Sequence, residues 1–415
     1  MTSKVAFQNL SSGHQDFSNN LMPIVEFLVS EHIITFMYYV SKITPLFLFK
    51  ALIFLGLSLA LRHTDWLLSI VFLLYGFIAS TLIGAMYQIV PNSQSRKLYF
   101  PKLPYLVFVL NIISLVLFSL NKGALASGVL LLSYILFSAS IFLTIKNWKP
   151  ITVRFLSASV VFLNLSTIFL LLSQLNLVPF RLAVHTLTLG AMLNAVYGVE
   201  LAWIPMLTMT TLNFKKALNL FYAKQFSTLF ILVSFYITTY NLLIFASIVE
   251  FAVALFYLSQ IYSILKQRRI KPTFPIPVRF FMFALLLLPF GLFVGFLMSI
   301  FPERTPTLLE LHYNLLIYGF TAFTIFGGIA HLLPRIIYNW KFSERQGVSI
   351  GDFIDEPSLP TFFKLSVSLY LTYLVLDLLP DPASLISSFI YIVLLLYFFK
   401  LTFFKALSAF LYLRR

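Results

Sequence analysis

The chain has 415 residues, 60% of them hydrophobic and only 10% charged, with a mean hydropathy of +0.93. That mix excludes a soluble globular domain and points to an all-α integral membrane protein. The formal charge of +15 has no clustered soluble module behind it, so nucleic acid is not an expected partner. The absence of cysteine excludes disulfides, thiolate haem ligation, iron–sulfur clusters and a dicysteinyl copper centre.

Residues 1–20 lack the apolar core of a secretory signal, so no cleaved leader is expected. Residues 24–41 hold Glu26, Glu31 and His32 among apolar positions, which suits a helix lying in the membrane interface better than one that spans. Residues 1–42 thus read as a cytoplasmic N-terminal segment. A span needs about 20 apolar residues, and about twelve runs qualify: 43–62, 66–91, 101–121, 123–146, 150–176, 178–211, 216–238, 241–265, 276–301, 307–337, 360–379 and 382–405.

Sorting the 29 Lys and Arg residues by the loops between these runs puts 25 on one side. Lys50 and Lys224 are counted with the flanking segments there. Only Arg62, Lys122, Arg181 and Arg304 fall on the other side. A bias that alternates with every run is the positive-inside pattern. It implies an inner (plasma) membrane location with both termini cytoplasmic.

Three of the runs share a pattern. "YGFIASTLIGAMYQIVP" (75–91), "LGAMLNAVYGVELAWIP" (189–205) and "YGFTAFTIFGGIAHLLP" (318–334) all read G-x7-G-x6-P, on Gly76, Gly84 and Pro91, Gly190, Gly198 and Pro205, and Gly319, Gly327 and Pro334. Each lies second in a group of four runs. The run before it opens with a proline and a basic residue: Pro45 with Lys50, Pro150 with Arg154, Pro275 with Arg279. The chain therefore reads as three pseudo-symmetric four-helix units, 43–148, 150–268 and 276–410. Glycines eight residues apart lie near one helix face and admit a close neighbour, and the proline is expected to mark the helix end.

This architecture resembles subunit I of the haem-copper oxidase superfamily. The sharpest local likeness is "LHYN" followed by "GGIAHLLP" (327–334), which resembles that family's tenth helix, H-x-H and then G-G-x-x-H-x-x-P. By this alignment His312 falls on the ligand of the high-spin haem, and Asn314 stands where the family has a low-spin haem ligand. "HTLTLGA" (185–191) and "YGFIASTLIGAMYQIVPN" (75–92) are also similar to the shorter NnrS-like branch, haem-containing relatives associated with nitric oxide metabolism. The partners this implies, besides the lipid bilayer, are other respiratory subunits or a redox partner.

An oxidase of that family uses six histidines within the bilayer. This chain has six in all, and His14, His32 and His63 lie at or beyond the membrane surface. Leu68 stands at the family's other low-spin position, Ala191 near a copper ligand, and the seventh run has no histidine. Copper prefers imidazole, so no copper site and no oxygen reductase activity are expected.

Ionisable groups inside a membrane need a reason to be there. Glu200 and Glu250 read either as a path for protons or as neutral acids bonded to a neighbouring helix. His331 reads as a structural group that satisfies freed carbonyls or reaches headgroups, or as a further member of a proton or polar pathway with Glu200 and Glu250. His185 is twenty residues before Pro205, and His312 twenty-two before Pro334. By the resemblance, these positions on the sixth and tenth helices face one pore, at depths about 3 Å apart. The expectation is a single haem b with His185 and His312 as axial ligands of the iron, or with His312 alone, serving electron transfer or the handling or sensing of a gas such as nitric oxide. The competing expectation is a cofactor-free transporter or respiratory-complex assembly protein on the same scaffold. Residues 338–360, the longest polar loop, read as a docking surface for a soluble partner or a solvated connector.

Overall fold

A computed structural model describes residues 39–268, 273–380 and 382–414. The interfacial helix expected at 24–41 lies almost wholly outside the described residues, as do Lys4, His14, Glu26, Glu31, His32, Arg269, Lys271 and Arg415.

Among the described residues the chain is helical, with no strand. Hydrocarbon offers backbone groups no hydrogen bonds, and a helix satisfies all of its own internally. Eleven helices are long and apolar enough to cross a membrane. They are α1 (Thr44–Leu61), α2 (Trp66–Ser93), α4 (Gly123–Thr144), α5 (Ile151–Gln174), α6 (Phe180–Thr208), α7 (Phe214–Ile237), α8 (Tyr240–Lys266), α9 (Ile276–Ile300), α10 (Pro302–Lys341), α11 (Glu356–Asp377) and α12 (Ala383–Leu413). Between α2 and α4 lies the shorter apolar helix α3 (Leu103–Ser119), of 17 residues. The protein is an all-α membrane protein.

Local sequence fixes the helix starts. Asp65 accepts the Leu68 N–H at 3.0 Å to open α2, and Asn213 accepts that of Lys216 at 3.1 Å to open α7, so each cap satisfies an orphan donor. Prolines stand in the first turn of α1, α3 and α9, where the missing N–H costs nothing.

Burial sets α2, α6 and α10 apart. Of their most apolar stretches 83%, 78% and 83% is buried, against 28% for α8 and for α11, so these three form the centre. Each carries a π-helical stretch, Phe72–Ile78, Thr186–Met192 and Asn314–Thr321, spanning the first glycine of its motif. The second glycine is a contact point. A Cβ on Gly84 would lie 2.5 Å from Phe47 Cβ, one on Gly198 2.6 Å from Phe155 Cβ, and one on Gly327 2.9 Å from Phe280 Cβ. Here α1, α5 and α9 press onto α2, α6 and α10 at distances only glycine allows.

Two sequence expectations need correction. The helices do not end at their prolines but run through Pro91, Pro205 and Pro334, the last as far as Lys341. Neighbouring helices supply the packing that holds a continued helix together. Lys50 and Lys224, counted with the basic flanks, are buried within α1 and α7. Both have partners there, which is what makes their burial tolerable.

The 338–360 stretch is a packed cap more than a free loop. Phe353 and Ile354 are buried, the Phe342 and Phe353 rings meet at 5.1 Å, and the Asp355 N–H donates to Leu401 O at 3.0 Å.

Candidate functional site

His185 and His312 stand near the starts of α6 and α10, each just before a π-helical stretch. His185 Nδ1 lies 2.8 Å from Arg181 O, one turn back on its own helix. His312 Nδ1 lies 2.9 Å from Gly291 O on α9. A carbonyl only accepts, so each Nδ1 carries the proton and each Nε2 keeps a free lone pair. Among the described residues the hydrogen bonds of these two rings are those of Nδ1. Metal-ligating histidines are typically oriented in this way, with the far N–H bonded to a carbonyl. In each ring this leaves Nε2 as the nitrogen available to a ligand.

Both histidines are half-buried, with close packing on one side of each ring. The His185 ring sits 4.2 Å from the Phe235 ring of α7. The His312 ring lies on Gly295, where a Cβ would be 2.7 Å from its Cε1.

Asn314 has a different role from the family histidine it aligns with. It is fully buried, donates to Asp377 Oδ2 at 2.5 Å and accepts from Tyr373 at 2.7 Å. It belongs to a network around Arg62, which pairs with Asp377 at 2.8 Å and Glu310 at 2.9 Å and donates to Tyr313 and Tyr373. Tyr318, Tyr370 and Tyr391 pack beside this network. Polar bonds and tyrosine rings occupy the ground between α10, α11 and α12.

Glu200 accepts a short hydrogen bond from Tyr257 of α8 through Oε2, while its Oε1 has no partner. That matches the acid bonded to a neighbouring helix. Glu250 is instead an ion pair with Lys224 at 2.5 Å, closed by Ser227 at 2.6 Å. The Tyr197 ring stacks on Tyr257 at 3.8 Å, and its hydroxyl is also without a hydrogen-bond partner. The His331 ring lies tilted against Trp203, with centroids 4.8 Å apart, and its Nδ1 bonds no freed carbonyl. Lys224, Tyr257 and Tyr197 escaped sequence reasoning. Lys224 lies ten residues into α7, about 15 Å along it, and that depth was the available signal for a buried partner.

A cavity of about 90 Å³ lies between α2, α6 and α10. Its lining repeats three times. Each inner helix contributes the residues three and two before, and one, two and five after, its second glycine, for example Ala85, Val199 and Gly328 at one after. Leu48, Leu156 and Phe281, each following the phenylalanine that meets that glycine, complete it.

Fold and site together define a polytopic all-α membrane protein with His185, His312 and His331 on its spanning helices and an internal cavity. No family model matches the chain. A protein of Aquifex aeolicus (strain VF5), described as "Uncharacterized protein", is 46% identical over 380 residues, covering 91% of this chain and 100% of the relative. The chain belongs to the family of that protein.

Proposed function

We propose that this is a non-oxidase relative of haem-copper oxidase subunit I that binds one haem b between His185 and His312. The observation that carries the reading is the matched state of the two imidazoles, each with Nδ1 committed to a carbonyl and Nε2 free. The haem would supply a one-electron redox centre or a gas-binding iron. The protein's part is to orient both rings through Arg181 O and Gly291 O, with Phe235 packed against His185. Electron transfer, or the handling or sensing of a gas such as nitric oxide, follows from that chemistry, with a redox partner or respiratory subunits as its context.

The scaffold reading is twelve spans in three four-helix units. It is supported by the three π-helical stretches, the glycine contacts and the threefold cavity lining. The charge bias sets the basic side, with both termini, in the cytoplasm across the plasma membrane. A reporter fused after Arg415 that reads as external would overturn that orientation. Glu200 bonded to Tyr257, and the Lys224–Glu250 pair, are two separate buried polar groups that would store a proton.

A cofactor-free transport or assembly role is the second reading, favoured by the close packing of Phe235 on His185. Visible spectra of His185→Ala and His312→Ala separate the cases. Loss of low-spin bands in both variants supports the pair. Loss in His312→Ala alone supports single ligation, and a wild-type protein that never binds haem sinks both.

A further inference from the structure

The histidines do not account for the cavity on the axis of α2, α6 and α10. About fourteen residues of α6 separate His185 from Val199 at its wall, roughly 20 Å of helix. At the level of Gly84, Gly198 and Gly327 the next positions are Ala85, Val199 and Gly328, all small. Three converging helices that each present a small residue leave a space that none of them fills.

The wall of this space is apolar. Glu200 Oε1 and Thr324 Oγ1 lack partners, yet both atoms are buried within the packing and present no surface to the chamber. A water molecule typically makes about three hydrogen bonds in a buried site, and such a wall offers none. An apolar occupant loses nothing on entry and restores the dispersion contacts that the wall lacks. A volume of about 90 Å³ matches about three water molecules, which sets the size of the occupant.

The chamber has a closed end and an approachable one. Six residues before the glycines, Ile78, Met192 and Thr321 are fully buried, and Thr321 Oγ1 donates to Met192 Sδ at 3.0 Å. Toward the basic side, Ile89 and Trp203 are half-buried, Asn92 and Arg335 a turn further are half-buried, and Met206 is exposed.

We propose that this axial chamber is a binding site for a small uncharged apolar molecule, a dissolved gas or short hydrocarbon, entering from the basic side. The site stands independently of any haem at the histidines. Xenon is the probe, and Gly328 is the handle. A Cβ there meets only Trp203, at 3.9 Å, so Gly328→Ala adds a methyl group without a clash, while Val199→Ala enlarges the space.

The experiment is xenon titration of the full-length protein in nanodiscs by xenon NMR, with xenon-pressurised crystals to locate the atom. The expected result is one saturable site per chain on the axis. Gly328→Ala should weaken it at least threefold, and Val199→Ala should leave it at least as tight. No xenon on the axis of the wild type, affinity unchanged in Gly328→Ala, or an ordered lipid tail that xenon does not displace would each overturn the proposal.

Discussion

Adjacent glycines of α10 should respond oppositely to the same added methyl group. A Cβ on Gly327 would sit 2.8 Å from Phe281 Cε1, 2.9 Å from Phe280 Cβ and 2.9 Å from the Pro277 carbonyl oxygen. Two of these three atoms are backbone or attached directly to it, so relief requires α9 to move away from α10. Overpacking of this kind costs about 1–3 kcal/mol, and three simultaneous contacts put Gly327→Ala in the upper half of that range. Gly328 meets nothing closer than 3.9 Å, so Gly328→Ala should gain up to about 1 kcal/mol from helix propensity. Gly84→Ala and Gly198→Ala should lose stability as Gly327→Ala does, because Phe47 Cβ and Phe155 Cβ stand at 2.5 and 2.6 Å. Unfolding in mixed micelles, followed by circular dichroism, measures all four variants against wild type. Equal stability of the Gly327→Ala and Gly328→Ala proteins would refute the packing argument.

Two further perturbations test the polar interior and the histidine seat. Lys224→Met or Glu250→Gln alone leaves one group of the buried pair unmatched and should cost about 3–5 kcal/mol, whereas the double variant should recover most of that loss in the same unfolding assay. Additive losses would show that the pair is not coupled. Gly295→Ala drives a methyl group to 2.7 Å from the His312 ring and should reduce bound haem as far as His312→Ala does, with haem per chain as the readout; full retention would mean that the ring does not need that seat.

The helical membrane architecture was legible because twenty-residue apolar runs have few alternatives, and every expected run has a helix over it. The glycine motif was legible for a similar reason, since a helix face that admits a phenylalanine at 2.5 Å leaves only one residue type. What local sequence did not reveal was pairing across helices. Lys50 lies over the Phe47 and Phe108 rings with its ammonium on Asn111, and nothing near position 50 announces a partner 61 residues on. Lys224 looks like a flank because Lys215 and Lys216 precede it at the start of α7; its depth becomes meaningful only once Glu250 faces it. Asn314 aligned with a ligand position, yet its environment is set by Arg62 and Asp377, 252 residues before it and 63 after. Periodicity of 3.6 does not encode the π-helical stretches, which span Gly76, Gly190 and Gly319 in the inner helices and recur without glycine at Lys400–Phe404.

The central claim is that His185 and His312 hold one haem. The most direct measurement is the reduced-minus-oxidised visible spectrum, with haem quantified by its pyridine complex, of protein purified under haem-replete expression. The account predicts one haem b per chain with low-spin bands that vanish in both His185→Ala and His312→Ala, while Gly128→Ala, with nothing within 4 Å of the added carbon, keeps them. A folded wild-type protein with no haem, or haem bands untouched by either histidine substitution, would contradict it.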